Sequence, residues 1–329
     1  MIDFRYHLVS LVGVFLALAI GVVLGAGPLR DSIGDTLSSQ VDLLREDRAQ
    51  LQGQVDDLSG QLAARDAALA AVAPAVAEGV LDGTTTVVVA LPGADGELVE
   101  DLSDGVADAG GAVSGVVDLR DAWSDPEASE ARDEVAAALP ERALGEVTTE
   151  DAGTPALLSA ALAGAVVAPD PVLAGTASVA GREVLDALAA ADLVQLEGDP
   201  VLRAATALVV APAPAQQPAD GDAAPGASAE LALLQALEAT GAGVVLAGPA
   251  EAAAEGGAVA VLRGDDLAGL VTGVDGAGSA AGELAVVLAL REQLDGGAGQ
   301  YGAGDGAGAA LPPLAAARAA AAEQPGGEG

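Results

Sequence analysis

The chain contains no cysteine and no lysine, and its single histidine is His7, close to the N-terminus. Without cysteine there is no disulfide, no thiolate metal site and no thiol nucleophile. Without lysine there is no Walker-type phosphate loop and no Schiff base. A Ser-His-Asp triad in the body of the protein is excluded as well, because the body has no histidine. These absences predict a protein that is not an enzyme.

Basic residues are scarce relative to acidic ones, since 13 Lys plus Arg against 49 Asp plus Glu give a formal net charge of −36 over 329 residues. A chain this acidic is repelled by nucleic acid, whose affinity for proteins comes mainly from cations that meet phosphates. Aromatic residues are also few, namely one Trp, two Tyr and two Phe. We therefore expect a core of Ala, Val and Leu, and no nucleic-acid partner.

Residues 8–26 contain no charged side chain and follow Arg5 and His7. A membrane-spanning helix needs about 20 apolar residues to cross a hydrocarbon core of about 30 Å. A cleaved signal peptide is the alternative, but its apolar part is usually shorter, about 7–15 residues. We predict an uncleaved anchor over residues 8–27 behind a cytoplasmic tip of residues 1–7, with the acidic bulk of the chain outside the cytoplasm.

Small residues recur at every fourth position of this segment, at Gly13, Ala17, Gly21 and Gly25. Such a pattern lets two membrane helices approach closely. Small residues are common throughout this chain, so composition alone is the competing explanation. The stripe predicts packing of the anchor against a partner helix.

After the anchor, aliphatic residues follow one another in alternating steps of four and three, which is the heptad pattern of a coiled coil. The seam residues of this pattern are Leu37, Val41, Leu44, Leu51, Val55, Leu58, Leu62, Leu69, Val72 and, last, Val76. Arg48 and Arg65 interrupt the seam, and a polar residue there sets register or oligomeric state at some cost in stability. The seam could instead pack on the globular part of its own chain. We predict a coiled coil over residues 30–77, in which Pro74 limits the continuous helix, and a homo-oligomer of undetermined number.

From Thr84 onward, strand-like runs alternate with helical stretches, as in a mostly parallel sheet covered by helices on both faces. Strands are predicted at residues 85–91, 112–119, 193–196, 205–211, 243–247, 259–262 and 270–274, and helices at 97–109, 128–139, 155–166, 179–188 and 279–294. The predicted fold class is therefore a single N-terminal transmembrane helix, then a coiled-coil helix, then an extracytoplasmic α/β domain with Rossmann-like layers over residues 84–295. Residues 212–228 are predicted to form a linker, and residues 296–329 a flexible Gly/Ala/Pro-rich tail in which Tyr301 could dock on the body.

Two glycine patterns invite comparison with dinucleotide-binding loops. Gly297, Gly299 and Gly302 follow a predicted helix and open none, so we interpret them as low complexity. The pattern around Gly276 precedes a helix for which Ser279 supplies an N-cap. Neither is followed by a βαβ unit with the acidic residue that binds ribose. No cofactor is identified from these motifs.

The first turn that follows a strand, residues 91–96, could hold a small ligand at the switch point of the sheet. Asp95 in this turn would repel a phosphate. The turn therefore leaves open an α/β domain that senses a small molecule.

The opening residues 1–11 (MIDFRYHLVSL) resemble the start of the actinobacterial copper transport protein family typified by MctB. Residues 15–31, the heptad segment, residues 271–294 and the motif at 299–302 are similar to that family as well. The resemblance covers nearly the whole chain. It implies an envelope protein of the cell membrane with a role in copper efflux or homeostasis.

This resemblance implies copper, but the chain has few side chains that are suitable copper ligands. Cu(I) prefers thiolate or thioether ligands and Cu(II) prefers imidazole, and the chain offers only Met1 and His7. These two residues are the only candidates for a metal site. The alternative to a copper role is a non-catalytic envelope scaffold or the small-molecule sensor.

Overall fold

The computed structural model describes residues 4–26, 28–139, 153–198, 202–214 and 227–313. The chain forms two units, one up to Arg65 and the other from Asp66 onward. The first unit contains helix α1 (Phe4–Ala26) and most of helix α2 (Pro28–Ala77), and the second contains the end of α2 and an α/β domain. The division into a helical N-terminal part and an α/β part follows the change of period in the sequence.

Helix α1 contains the candidate membrane span of the described residues. Its stretch Phe4–Val23 is long and apolar enough to cross a membrane, and none of it is buried within the chain. A helix that is apolar all round is stable only where apolar surroundings cover it. The span begins at Phe4, four residues before the start of the predicted anchor at Leu8, because helix α1 also includes Arg5 and His7.

Helix α2 is 50 residues long and continues through Pro74 to Ala77. The expectation that Pro74 limits the helix is therefore wrong. Proline removes its own amide from the helical ladder and its ring crowds the carbonyl four residues earlier. The next turn is nevertheless closed by the Glu78 amide, which donates to the Pro74 carbonyl at 2.9 Å. Packing of Ala73 and Val76 against the core of the α/β domain holds this last turn in place.

The α/β domain contains seven further helices and seven strands within the described residues. The helices are α3 (Gly96–Asp108), α4 (Ser129–Ala138), α5 (Thr154–Val166), α6 (Val179–Ala190), α7 (Ala227–Ala239), α8 (Ala258–Arg263) and α9 (Ala280–Leu294). The strands are β1 (Thr85–Ala90), β2 (Ala112–Leu119), β3 (Val194–Gly198), β4 (Thr206–Val210), β5 (Gly243–Ala247), β6 (Thr272–Val274) and β7 (Gln300–Tyr301).

The strands form one sheet in the order β3-β2-β1-β4-β5-β6-β7. All neighbours are parallel except β2 and β3, which are antiparallel. At the centre, Val88 of β1 lies opposite Val116 of β2 and Leu208 of β4. The prediction of a mostly parallel sheet is confirmed.

Helices cover both faces of this sheet, because successive residues of a strand point to opposite sides. Val87 and Val89 belong to the core on one face, together with Leu162 of α5 and Leu185 of α6. Val88 belongs to the core on the other face, together with residues of α3 and α9. The central strand is buried on both faces, which explains its uninterrupted aliphatic sequence.

Three elements differ from the sequence-based expectations. Residues 259–262, predicted as a strand, lie in α8, where Val259 and Leu262 are three positions apart and face the same core. Neither helix α7 nor strand β7 was predicted, and the first two residues of α7 lie within the predicted linker. The middle of that linker, residues 215–226, lies outside the described residues.

Candidate functional site

The parallel strands end at one edge of the sheet, and their order reverses between β1 and β4. Open α/β sheets bind ligands in the crevice at such a switch point. Here β1 leads into the turn 91–96, where Gly93 has a φ of 80°. Asp95 accepts a hydrogen bond from the Glu97 amide at 2.9 Å and caps α3. The Asp95 carboxylate at this edge thus acts as the N-cap of helix α3.

Asp275 directly follows β6 at the same edge and is the centre of a buried ion pair. Its Oδ2 lies 2.7 Å from Nη2 of Arg263, and the two side chains are only 2% and 5% exposed. Its Oδ1 accepts hydrogen bonds from the amides of Ala303 at 2.9 Å and Gly304 at 3.2 Å. Arg263 also donates to the Tyr301 carbonyl at 2.8 Å. These hydrogen bonds offset much of the cost of burying the two charges, although Nε of Arg263 is buried without a hydrogen-bond partner.

The Asp275–Arg263 pair fastens the glycine-rich segment after α9 to the sheet. Gly302 has a φ of 126°, and a Cβ there would overlap the carboxylate of Asp275. A Cβ at Gly299 would overlap the ring and hydroxyl of Tyr301. These glycines, interpreted above as low complexity, are required by close packing and backbone conformation. The flexible tail expected from residue 296 therefore begins with residues that belong to the domain.

Tyr301 ties this segment to α9. It is buried, and its hydroxyl lies 2.9 and 2.8 Å from the two carboxylate oxygens of Glu292. Burial, the hydrogen bond to Glu292 and the charge of Glu292 together raise the pKa of the Tyr301 phenol. Docking of Tyr301 on the body is confirmed, and it occurs through β7, which pairs with β6.

The N-terminus of α9 is capped from two directions. Ser279 Oγ accepts a hydrogen bond from the Gly282 amide at 3.2 Å, which confirms the predicted N-cap. Asp66, near the end of α2, accepts a hydrogen bond from the Ala280 amide at 3.1 Å. The end of α2 and the start of α9 are thus joined by a charge-assisted bond.

Three carboxylates lie near this capped end, from α2, α3 and α9. Burial raises the pKa of Glu283, and the charges of Asp101 and Asp66 raise it further. The three groups repel one another when all are ionised. Their arrangement explains the raised pKa of Glu283. It does not form a metal site, since no group of three or more His, Cys, Asp or Glu that could hold a metal occurs among the described residues.

The residues predicted to contact copper lie at the other end of the chain. His7 is an exposed residue of α1, and Met1 lies outside the described residues. Among the described residues, His7 belongs to no group of three or more His, Cys, Asp or Glu that could hold a metal ion. Copper contact at His7 and Met1 stays a prediction.

The small-residue stripe lies on α1. Gly13, Ala17 and Gly21 are exposed, and a Cβ at Gly13 or Gly21 would have open space around it. The surroundings of Gly25 lie outside what the structure describes. Packing of this stripe against a partner helix stays a prediction.

The heptad seam lies on α2 and is largely uncovered within one chain. The side chains of Val41, Leu44, Leu51, Val55, Leu58, Leu62 and Val72 are 42–66% exposed. Leu69 is half-buried, and the side chain of Leu37 lies outside the described part. Association of this exposed aliphatic surface with a partner helix stays a prediction.

A model of the family of copper transport outer membrane proteins, MctB, matches residues 1–312. The chain belongs to the MctB family. The copper transporters MctB of Mycobacterium tuberculosis and Mycobacterium bovis are each 33% identical to it over 314 residues, which covers 93% of this chain and 98% of theirs. The copper transporter MctB of Mycobacterium leprae is 32% identical over 334 residues, with the same two shares. The resemblance found in the sequence is confirmed.

The two C-terminal stretches that carry the MctB resemblance, residues 271–294 and 299–302, build the buried arrangement around Asp275. Its partner Arg263 lies outside both stretches and was missed by sequence reasoning. A signal was present, because Asp275 is a charged residue directly after a buried strand and such a residue needs a partner. The sequence did not reveal which of the chain's arginines supplies it.

Proposed function

We propose that this MctB family member acts in copper efflux and homeostasis at the cell envelope, as a membrane-anchored homo-oligomer that associates through α2. The copper role is supported by the family match over residues 1–312 and by the names of the mycobacterial relatives. The observation that carries the oligomer is the seam of α2, whose aliphatic side chains are exposed from Val41 to Leu62.

We also propose that the N-terminus lies in the cytoplasm and the α/β domain outside it. The candidate span Phe4–Val23 contains Arg5 at its start, and the terminal amine precedes it. Cations next to a span favour the cytoplasmic side. Nearly all of the 49 acidic residues follow the span, so the acidic surface belongs to the part outside the cytoplasm.

The available ligand side chains determine where copper, as the transported cargo, can bind this chain. Copper prefers thiolate, thioether and imidazole ligands, and residues 8–329 contain no Cys, Met or His. The α/β domain therefore does not fit a resident copper site. We place any direct contact at Met1 and His7, which an oligomer would bring together in several copies. We assign the chain no catalytic step and no further cofactor.

Copper accumulation in cells that lack this protein tests the proposal. Such cells are expected to hold more copper than parent cells after growth with added copper, and the wild-type gene should restore the lower level. The variant Leu44→Asp/Leu58→Asp, which places carboxylates in the seam, should not restore it. Glu46→Asp, a control on another face of α2, should restore it fully at equal protein level.

Equal copper contents with and without the protein would refute the copper role. Full restoration by the seam variant would instead refute the need for the oligomer. Copper titration of the purified full-length protein adds a third outcome, because His7→Ala should weaken binding. Negligible binding in both forms would refute direct contact and leave an indirect role.

A second candidate function is favoured by the switch point between β1 and β4, where open α/β sheets bind ligands. In this case the domain senses a small molecule and no copper is involved. Thermal unfolding of the full-length protein with a panel of nucleotides and small metabolites tests it. A ligand that raises Tm supports the sensor, and no shift across the panel counts against it.

A further inference from the structure

The seam residues of α2 between Val41 and Leu58 occupy two heptad positions that differ in side-chain type. Val41 and Val55 lie at position a, whereas Leu44, Leu51 and Leu58 lie at position d. The pattern ends there, because Leu62 lies at a and Val72 at d. β-branched residues at a combined with Leu at d favour two strands over three or four in parallel coiled coils, so the seam from Val41 to Leu58 fits one partner helix of the same kind.

Arg48 occupies an a position in the middle of this seam, and Asp47 precedes it at position g. Both side chains are exposed, and neither has a hydrogen-bond or ion-pair partner within the described part of the chain. Arg45 differs, since it pairs with Asp42 of its own helix at 3.1 Å. Arg48 is therefore a seam cation, with the adjacent anion Asp47, that is left for a partner.

A parallel helix pair in register supplies that partner. Each a side chain then enters a hole formed by four residues of the facing helix, which are the preceding d and g residues, the equivalent a residue and the next d residue. For Arg48 these include the partner's Asp47. A buried polar residue at one a position specifies register and strand number.

We propose that α2 forms a parallel, in-register, two-stranded coiled coil with a second copy of this chain. In it, Arg48 of each copy bonds the partner's Asp47, so that one symmetric layer holds two ion pairs. The proposal rests on the homo-oligomer proposed above. It adds the number of chains, their direction and their register.

The candidate span supports the parallel direction. Each copy carries its span before the seam, so two copies in one membrane start their seams from the same surface.

The α/β domain bounds the seam at its far end. Ala73 and Val76 pack against the core of that domain, and Asp66 accepts a hydrogen bond from α9. The part of α2 from Asp66 onward therefore belongs to the same unit as the α/β domain of its own chain, although Leu69, Val72 and Val76 continue the heptad pattern. The Arg48 layer lies well before this part in the sequence, so it reports on the coiled coil alone.

Single cysteines test the direction and register directly, because the chain has no native cysteine. In full-length protein in membranes, Leu44→Cys should form a disulfide-linked dimer almost completely under mild oxidation. Glu46→Cys, at a position outside the seam, should remain monomeric on the same gel. Strong crosslinks between mixed Leu44→Cys and Leu69→Cys copies, with none between two Leu44→Cys copies, would reveal an antiparallel pair and overturn the proposal.

Charge reversal tests the Arg48 layer. Arg48→Glu should weaken dimerisation about tenfold, because it opposes two acidic side chains. The exchange Arg48→Glu/Asp47→Arg should restore most of the affinity, whereas Arg45→Glu, outside the seam, should leave it nearly unchanged. Dissociation constants from analytical ultracentrifugation of the full-length protein in detergent provide the measurement.

The outcomes of these experiments distinguish a failure of the parallel two-stranded coiled coil from a failure of the homo-oligomer proposed above. A wild-type protein that stays monomeric at every concentration would refute the homo-oligomer itself. A wild-type trimer or larger assembly would overturn only the two-stranded arrangement. An Arg48→Glu variant that dimerises as well as wild type would overturn the Arg48–Asp47 layer.

Discussion

Leucine residues occur both in the α/β domain and on helix α2, but most of them are buried in the domain and exposed on α2. Leu162 and Leu185 of the domain are fully buried, whereas Leu51 and Leu58 of α2 are 62% and 60% exposed. Burying one Leu side chain contributes about 1.5–3 kcal/mol. The domain obtains this contribution within one chain, while the seam leucines Leu51 and Leu58 of α2 are uncovered within one chain. Residues of the same type are thus buried in one region and exposed in the other.

The largest effect on the domain is expected from Arg263→Met. This change leaves Asp275 buried without its countercharge, which should lower the free energy of unfolding by about 3–5 kcal/mol. Arg120→Met is the control, because Arg120 pairs with Asp118 at 3.6 Å with both side chains 40% or more exposed, and its loss should cost at most about 1 kcal/mol. Urea denaturation followed by circular dichroism measures both, and equal losses would contradict the structural role of the buried pair.

The contrast between buried leucines in the domain and exposed leucines on α2 is tested by making the same Leu→Ala substitution in both regions. Leu162→Ala should destabilise the domain by about 2–5 kcal/mol, since it opens a cavity in the core. Leu58→Ala should leave unfolding of the domain unchanged and weaken self-association. Calorimetry and sedimentation of the same two samples separate these effects. A large shift of the domain transition by Leu58→Ala would show that the seam is covered within one chain.

A smaller effect is expected from Tyr301→Phe, which removes the hydrogen bond to Glu292 and should cost about 1–2 kcal/mol. The pKa of Tyr301 is raised in the folded state, so the stabilising effect of the neutral phenol is complete below its ordinary pKa of about 10. That stabilising effect declines as the pH rises above 10, because the unfolded state then loses the proton first. The stability difference between wild type and Tyr301→Phe should therefore narrow above pH 10 in denaturation curves.

The smallest effect is expected where the end of α2 meets α9. The raised pKa of Glu283 means that its carboxylate is disfavoured in the folded state. Glu283→Gln removes this repulsion and should raise Tm slightly at pH 7. The gain should vanish as the pH falls through the raised pKa of Glu283 towards 4, where wild type is protonated as well. A gain that persists at pH 4 would point to a cause other than charge.

Much of the fold could be predicted because its signals are local. Runs such as residues 85–91 and 243–247 are continuous and aliphatic, which is typical of strands buried on both faces. Residues 259–262 were misassigned because a short apolar run of β-branched residues has the same appearance in a strand and in a buried helix turn. β7 was missed because two residues among glycines carry no periodicity.

The candidate site was predictable only in part. The N-terminal motif and the stretch 271–294 pointed to the MctB family, which is confirmed. The pairing of Asp275 with Arg263 was not predictable, because it joins a loop after β6 to a helix that lies before that strand. No spacing rule connects two such residues, and only the folded sheet brings them within 2.7 Å.

The sequence by itself determined the properties that depend on composition and short-range period. These are the absence of thiol and amine chemistry, the acidic surface, the candidate span, the heptad seam and the family. The tertiary structure alone decided the order of the strands, the attachment of the glycine-rich segment through Asp275 and Tyr301, and the transfer of Val76 from the seam to the core. The reason is physical, since these features arise from contacts between residues far apart in the chain, and such contacts form only when the sheet brings those residues together.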